Sequence, residues 1–76
     1  MTIKPGDLVK YKSAPDRGGR RVADDQAAIK FGWTWQQCVD NLIGLVTKIE
    51  GEYVFVHWFC LNKTIWEWKG YLKVAE

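Results

Sequence analysis

Apolar and polar residues alternate through the centre of the chain with the period of two that is typical of a β-strand. Within Tyr53–Trp58, three side chains point to one side, namely Val54, Val56 and Trp58, and three point to the other, namely Tyr53, Phe55 and His57. A second apolar segment, Leu42–Ile49, precedes it, and Gly51 between two glutamates supplies the positive φ of a tight turn. This pattern predicts a β-hairpin.

The same pattern predicts three further strands, one before the hairpin and two after it. They are Leu8–Lys12, with Val9 and Tyr11 pointing inward, Ile65–Trp68 and Tyr71–Ala75. Five short strands predict a small, strongly bent sheet that closes on itself, because an open sheet leaves two exposed edges. We expect eight side chains to form its core: Val46, Ile49, Val54, Val56, Trp58, Trp66, Leu72 and Val74.

The segment between the first strand and the hairpin, residues 13–40, is too long to be coil throughout. Asp24 or Asp25 is a candidate cap for a short helix that ends at Gly32 and places Ile29 against the core. A capping box at Thr34–Gln37 predicts a second helical turn. Trp33 and Trp35 lie on one side if this part is extended and on different sides if it is helical, and the sequence leaves both open.

Composition indicates one small domain covering residues 1–76. The chain is 47% apolar and contains five tryptophans, which is enough for a core without a disulfide or a metal. A net charge of +2 is too small to indicate nucleic acid or membrane by itself. No apolar segment has the length of a membrane span or a signal peptide, so we expect a cytoplasmic protein with reduced cysteines. Cys38, Cys60 and His57 lack a metal-binding spacing, and no cofactor is expected.

Several segments resemble the small, uncharacterised SH3-like barrel proteins of tailed bacteriophages. They are Pro5-Gly6-Asp7-Leu8-Val9, Ile43–Ile49, Val54–Trp58, and Trp66 followed by Tyr71–Val74. The resemblance implies a mainly β fold, a five-stranded SH3-like barrel. It does not cover residues 13–40, for which the sequence itself predicts a long, partly helical loop between strands 1 and 2. It implies no catalytic residues, and a location in the host cytoplasm or the virion. A weaker likeness, through Gly44, Val46 and Ile49, is to the KOW motif.

Aromatic residues form the first candidate site. Relatives with an SH3-like barrel bind peptides on exposed aromatic side chains. The candidates for binding an unknown protein partner, or a second copy of the chain, are Tyr11, Trp33, Trp35, Phe55, Trp68 and Tyr71. In an alternative interpretation, Trp33 and Trp35 fold back and close one end of the sheet.

Basic residues form the second candidate site. The cluster comprises Lys10, Lys12, Arg17, Arg20 and Arg21. With a KOW-like hairpin, it predicts a nucleic-acid-binding module as the alternative function. The alternative is a solvated loop, because Asp24, Asp25 and Asp40 partly neutralise the cluster. No nucleophile, paired-acid or phosphate-loop motif occurs, so we expect no enzyme.

Overall fold

The fold is one antiparallel sheet of five strands with two helices inserted after the first strand. The computed structural model describes residues 2–14 and 21–75. The strands are β1 (Leu8–Tyr11), β2 (Gly44–Glu50), β3 (Tyr53–Trp58), β4 (Lys63–Trp68) and β5 (Leu72–Val74), and the helices are α1 (Val22–Phe31) and α2 (Trp35–Asn41). A 3₁₀ turn, Lys69–Tyr71, joins β4 to β5. No helix in the described ranges is long and apolar enough to cross a membrane.

The strand order is β4-β3-β2-β1-β5, which places β4 and β5 at the two edges of the sheet. The predicted hairpin is confirmed as β2 and β3, with Gly51 in the turn at φ 59°. Within the described residues, β4 and β5 are not paired, so the sheet is not closed and the predicted closure is not found.

A β-bulge in β2 explains how two residues that are three positions apart, Val46 and Ile49, face the same core. The register with β3 shifts between Val46 and Lys48, so Thr47 is the extra residue. Val46 before the bulge and Ile49 after it therefore both face inward, opposite Val56 and Val54. Val46 is fully buried, and Ile49 is half-buried against the core.

Seven of the eight predicted core residues lie in or against the core, and Trp66 is the exception. Val46, Val54, Val56, Trp58 and Leu72 are buried, and Ile49 and Val74 pack against them. The assignment of Trp66 to the core was wrong, since half of its surface is exposed. Its neighbour Glu67 faces inward instead, opposite Val54, and is only 4% exposed.

The inserted segment is two helices, and its local signals were partly correct. The predicted stop at Gly32 is confirmed, since its φ is 70° and its N–H bonds the Ala28 carbonyl. The capping box of Thr34 and Gln37 is confirmed at the start of α2. The predicted cap at Asp24 or Asp25 was wrong, because α1 begins at Val22 and the two acids lie in its first turn.

Small residues attach these helices to the sheet. Ala23 and Ala27 of α1, with Cys38 of α2 and Leu42 after it, are fully buried in the same core as Val9 and Tyr11. The prediction that Ile29 faces the core was wrong, because it is 87% exposed on the opposite side of α1. The inserted segment is thus part of the core of the domain.

Candidate functional site

A buried carboxyl group lies at the centre of the molecule. The Glu67 carboxylate oxygen Oε2 accepts a hydrogen bond from the Tyr11 hydroxyl at 2.6 Å and another from Trp58 Nε1 at 3.1 Å. Tyr11 and Trp58 are both fully buried, with ring centroids 4.9 Å apart. Because buried donors need an acceptor, Glu67 is the residue that allows both polar aromatic side chains to lie in the core.

Burial strongly affects the ionisation of this cluster. Loss of hydration raises the pKa of Glu67 to about 7, although its hydrogen bonds from Tyr11 and Trp58 oppose the shift. Burial, together with the neighbouring carboxylate of Glu67, raises the pKa of Tyr11 well above its ordinary value. Tyr11 therefore remains a hydrogen-bond donor at neutral pH, while Glu67 titrates close to neutrality.

An ion pair lies above this cluster. Arg21, only 6% exposed, donates from Nε to the Asp24 carboxylate, and its guanidinium stands 3.7 Å from the centre of the Tyr11 ring. Burial raises the pKa of Asp24, and the Arg21 guanidinium opposes this effect. Arg21 Nη2 and Asp24 Oδ1 have no hydrogen-bond partner. Arg21 therefore connects the start of α1 to β1 and is not part of a solvated basic surface.

Aromatic side chains cover the outer side of β3 and β4. Because β3 and β4 pair in register, Tyr53 lies opposite Trp68 and Phe55 lies opposite Trp66. Trp66 meets the Phe55 ring edge-to-face at 4.1 Å and the Tyr53 ring at 6.0 Å. Tyr71 of the 3₁₀ turn meets Trp68 at 5.1 Å. We call this set the aromatic face: Tyr53, Phe55, Trp66, Trp68 and Tyr71.

The aromatic face is open to solvent and contains a groove. Tyr53, Trp66, Trp68 and Tyr71 are between 43% and 51% exposed. Large aromatic side chains exposed together on one face are typical of interaction sites. The groove has a volume of about 320 Å³ and is lined by these four rings, with Arg21, Val22 and Glu67 between them. Of the buried cluster, Glu67 therefore also borders the groove.

Charged side chains of both signs border the aromatic face. At the hairpin end, Lys48 forms an ion pair with Glu50 at 2.9 Å, and its ammonium lies 5.6 Å from the Phe55 ring centre. Glu52, in the hairpin turn, adds a second carboxylate. At the other end of the face, Lys69 lies between Trp68 and Tyr71, and its backbone N–H donates to the Glu52 carbonyl oxygen at 2.9 Å.

Three of the six predicted aromatic site residues lie on this face. They are Phe55, Trp68 and Tyr71. The prediction that Tyr11 adds to an exposed groove was wrong, because its side chain is fully buried. Trp33 stacks on Phe31 at 4.5 Å and packs against the core, and Trp35 lies at the start of α2. These two tryptophans lie on the helical insertion and do not line the groove of the aromatic face.

Sequence reasoning missed Tyr53 and Trp66 as members of the aromatic face. The alternation in β3 already placed Tyr53 on the same side as Phe55. The pairing of β4 with β3 was the information that was lacking, because a period of two does not say which side of a strand faces the core.

Three members of the predicted basic cluster lie in the described part of the chain, and not all of them are on the surface. Arg21 is buried, and the Lys10 ammonium donates to the Asp40 carbonyl oxygen at 3.0 Å. Lys12 is exposed at the end of β1. Arg17 and Arg20 lie outside the described residues.

The remaining chemically reactive side chains do not converge. Cys38 is buried and Cys60 is exposed, and both are free. The His57 ring lies 3.2 Å from the Thr64 hydroxyl. Within residues 2–14 and 21–75, no group of three His, Cys, Asp or Glu side chains is arranged to hold a metal ion.

Comparisons with protein-family models, with curated proteins and with solved structures found no match to this chain.

Proposed function

We propose that this protein is a non-catalytic interaction module that binds a segment of another protein on its aromatic face. The observation that carries the proposal is a group of four large aromatic side chains, each about half exposed. The β3–β4 register brings Tyr53, Trp66 and Trp68 to one side of the sheet, and Tyr71 joins them from the 3₁₀ turn. Aromatic residues contribute most of the binding energy of protein interfaces when they pack into a partner.

The finer part of the proposal is that the sheet belongs to the SH3-like barrels and that the module acts in phage or phage-like assembly. The strand order, with β1 between β2 and β5, and the bulge in β2 support a barrel left open between β4 and β5. The sequence resemblance to phage proteins supports a role in the host cytoplasm or the virion.

The test is selection of binding peptides from a random linear peptide library displayed on phage, against the immobilised full chain. Peptides recovered on the wild-type protein are then titrated against three variants. We expect Trp66→Ala and Trp68→Ala to lose most of the affinity, because they remove the centre of the aromatic face. Trp35→Ala is the matched control, since Trp35 is 38% exposed but lies on α2.

Two results would contradict the proposal. In the first, the recovered peptides bind all three variants as well as the wild type. In the second, light scattering shows that the wild type self-associates and that Trp66→Ala alone dissociates it, which assigns the aromatic face to a second copy of the chain.

A further inference from the structure

A second concave surface lies beside β5 and differs in chemistry from the aromatic face. Its volume is about 400 Å³. We call it the lysine cleft, and it is lined by Thr2, Ile3, Lys12, Lys69, Leu72, Lys73 and Val74. Three lysines and three apolar residues therefore line it, and none of the described lining residues is acidic.

The lysines of this cleft differ from most other lysines in the described chain. Of the eight lysines in the sequence, four have ammonium groups that contact an oxygen atom. They are Lys10 on Asp40, Lys30 on Cys60, Lys48 on Glu50 and Lys63 on Gln26. Among the described residues, the ammonium groups of Lys4 and of the three cleft lysines have no hydrogen-bond or ion-pair partner. Three of these four unpaired lysines therefore share one cleft.

The strand register keeps this positive charge concentrated. Lys73 of β5 lies directly opposite Lys10 of β1, and like charges in this arrangement repel one another. Lys10 turns to the Asp40 carbonyl at the end of α2, whereas Lys73 remains exposed. Lys12 follows directly after β1, is exposed, and lines the same cleft as Lys73.

We propose that the lysine cleft binds the phosphodiester backbone of a single-stranded nucleic acid. Lysine ammonium groups bind phosphate oxygens as point charges. The apolar floor of Ile3, Leu72 and Val74 offers a surface for a sugar or a base. A concave cleft of this size accepts part of one strand more readily than the convex surface of a duplex. This site is separate from the aromatic face, and it shares Lys12 with the basic cluster predicted from the sequence.

A competing explanation is that the lysines only protect an exposed edge. Lysine side chains on an edge strand prevent pairing with another sheet, and β5 is an edge strand. Edge protection requires charge but no ligand. The two explanations therefore differ in whether the protein binds a polyanion with a defined number of contacts.

The test is fluorescence anisotropy of a labelled single-stranded oligonucleotide with the full chain at several salt concentrations. Three lysine–phosphate contacts predict that log K falls with log [salt] with a slope of roughly −2, since each contact contributes about −0.7 for a single strand. The triple variant Lys12→Gln, Lys69→Gln, Lys73→Gln is expected to lose nearly all of this slope and at least tenfold in affinity at low salt.

The matched control has the same net charge. It replaces Lys4, Lys30 and Lys63, which lie outside the cleft, with glutamine. We expect this control to bind with the affinity and salt slope of the wild type. Circular dichroism of both triple variants checks that they are folded. A wild type without salt-sensitive binding, or equal losses in the two triple variants, would overturn the proposal. Tighter binding of a duplex of the same sequence would also overturn it.

Discussion

At the scale of single residues, the central feature of this chain is the buried carboxyl group of Glu67. It accepts hydrogen bonds from Tyr11 and Trp58, and it lies beneath the ion pair of Arg21 with Asp24. When Glu67 is protonated, the formal charges of these three ionisable residues cancel. When it ionises, the core carries an uncompensated negative charge, which is costly away from water.

Replacing Glu67 with glutamine is expected to remove a pH dependence of stability. Burial raises the pKa of Glu67 from 4.5 to about 7, so the folded state binds this proton more tightly than the unfolded chain does. The resulting stabilisation is complete below about pH 4.5 and is lost as the pH rises through about 7. Urea unfolding at pH 5 and pH 8 should show that Glu67→Gln gains about 2 kcal/mol relative to the wild type at the higher pH.

Comparing the wild type with Glu67→Gln isolates the effect of Glu67 on the pH dependence of stability. Asp24, whose pKa is also raised by burial, is present in both proteins. Parallel pH profiles for wild type and variant would show that the carboxyl group is ionised at no cost, and hence that water reaches it.

At the scale of elements, β4 separates the core from the candidate binding surface. Ile65 and Glu67 face the core, and Trp66 and Trp68 face solvent. The strand therefore supplies a buried acceptor on one side and two exposed tryptophans on the other. The 3₁₀ turn after β4 adds Tyr71 to the exposed side and joins β4 to the edge strand β5.

Two tryptophan substitutions should therefore differ in cost. Trp58→Ala removes a fully buried ring and a donor to Glu67, and we expect it to lower the free energy of unfolding by about 3 to 5 kcal/mol. Trp66→Ala removes a half-exposed ring with two edge-to-face contacts, and we expect a loss of about 1 to 2 kcal/mol. Urea unfolding measures both, and an equal cost would place Trp66 in the core after all.

The features that sequence reasoning predicted correctly are local ones. The Gly51 turn, the Gly32 stop and the capping box of Thr34 depend on residues within four positions of each other. The orientation of β4 is different, because it follows from two buried donors on β1 and β3 that need one acceptor. Tyr11 and Glu67 are 56 positions apart, so their hydrogen bond is visible only once the sheet is assembled.

The same reasoning explains the incomplete prediction of the site. Hydrophobicity alone assigned Trp66 to the interior and treated Arg21 as a solvated base. Both assignments were wrong, because the tertiary structure places the Glu67 carboxyl group inside and the Trp66 ring outside. Tyr11 was correctly expected to point inward, which is incompatible with its parallel assignment to an exposed groove.

At the scale of the whole molecule, the helices and the sheet share one core. Cys38 of α2 is fully buried, and its thiol donates to the backbone carbonyl of Asp24 in α1 at 3.8 Å. Ala23, Ala27 and Leu42 belong to the same cluster as Val9, Tyr11 and Trp58 of the sheet. Separation of the helices from the sheet would therefore expose the Tyr11–Glu67 cluster to water. We infer that the two parts unfold together.

Thiol labelling tests this inference. In a Cys60→Ser variant, Cys38 is the remaining thiol, and burial and the neighbouring Asp24 raise its pKa to about 11. Since the thiolate is the reactive form, native Cys38 should react only after the chain opens. The opening free energy from the labelling rate should equal the free energy of global unfolding in urea within about 1 kcal/mol. A much smaller opening free energy would show that the helix pair separates while the sheet remains folded, and the insertion would then be an independently unfolding unit.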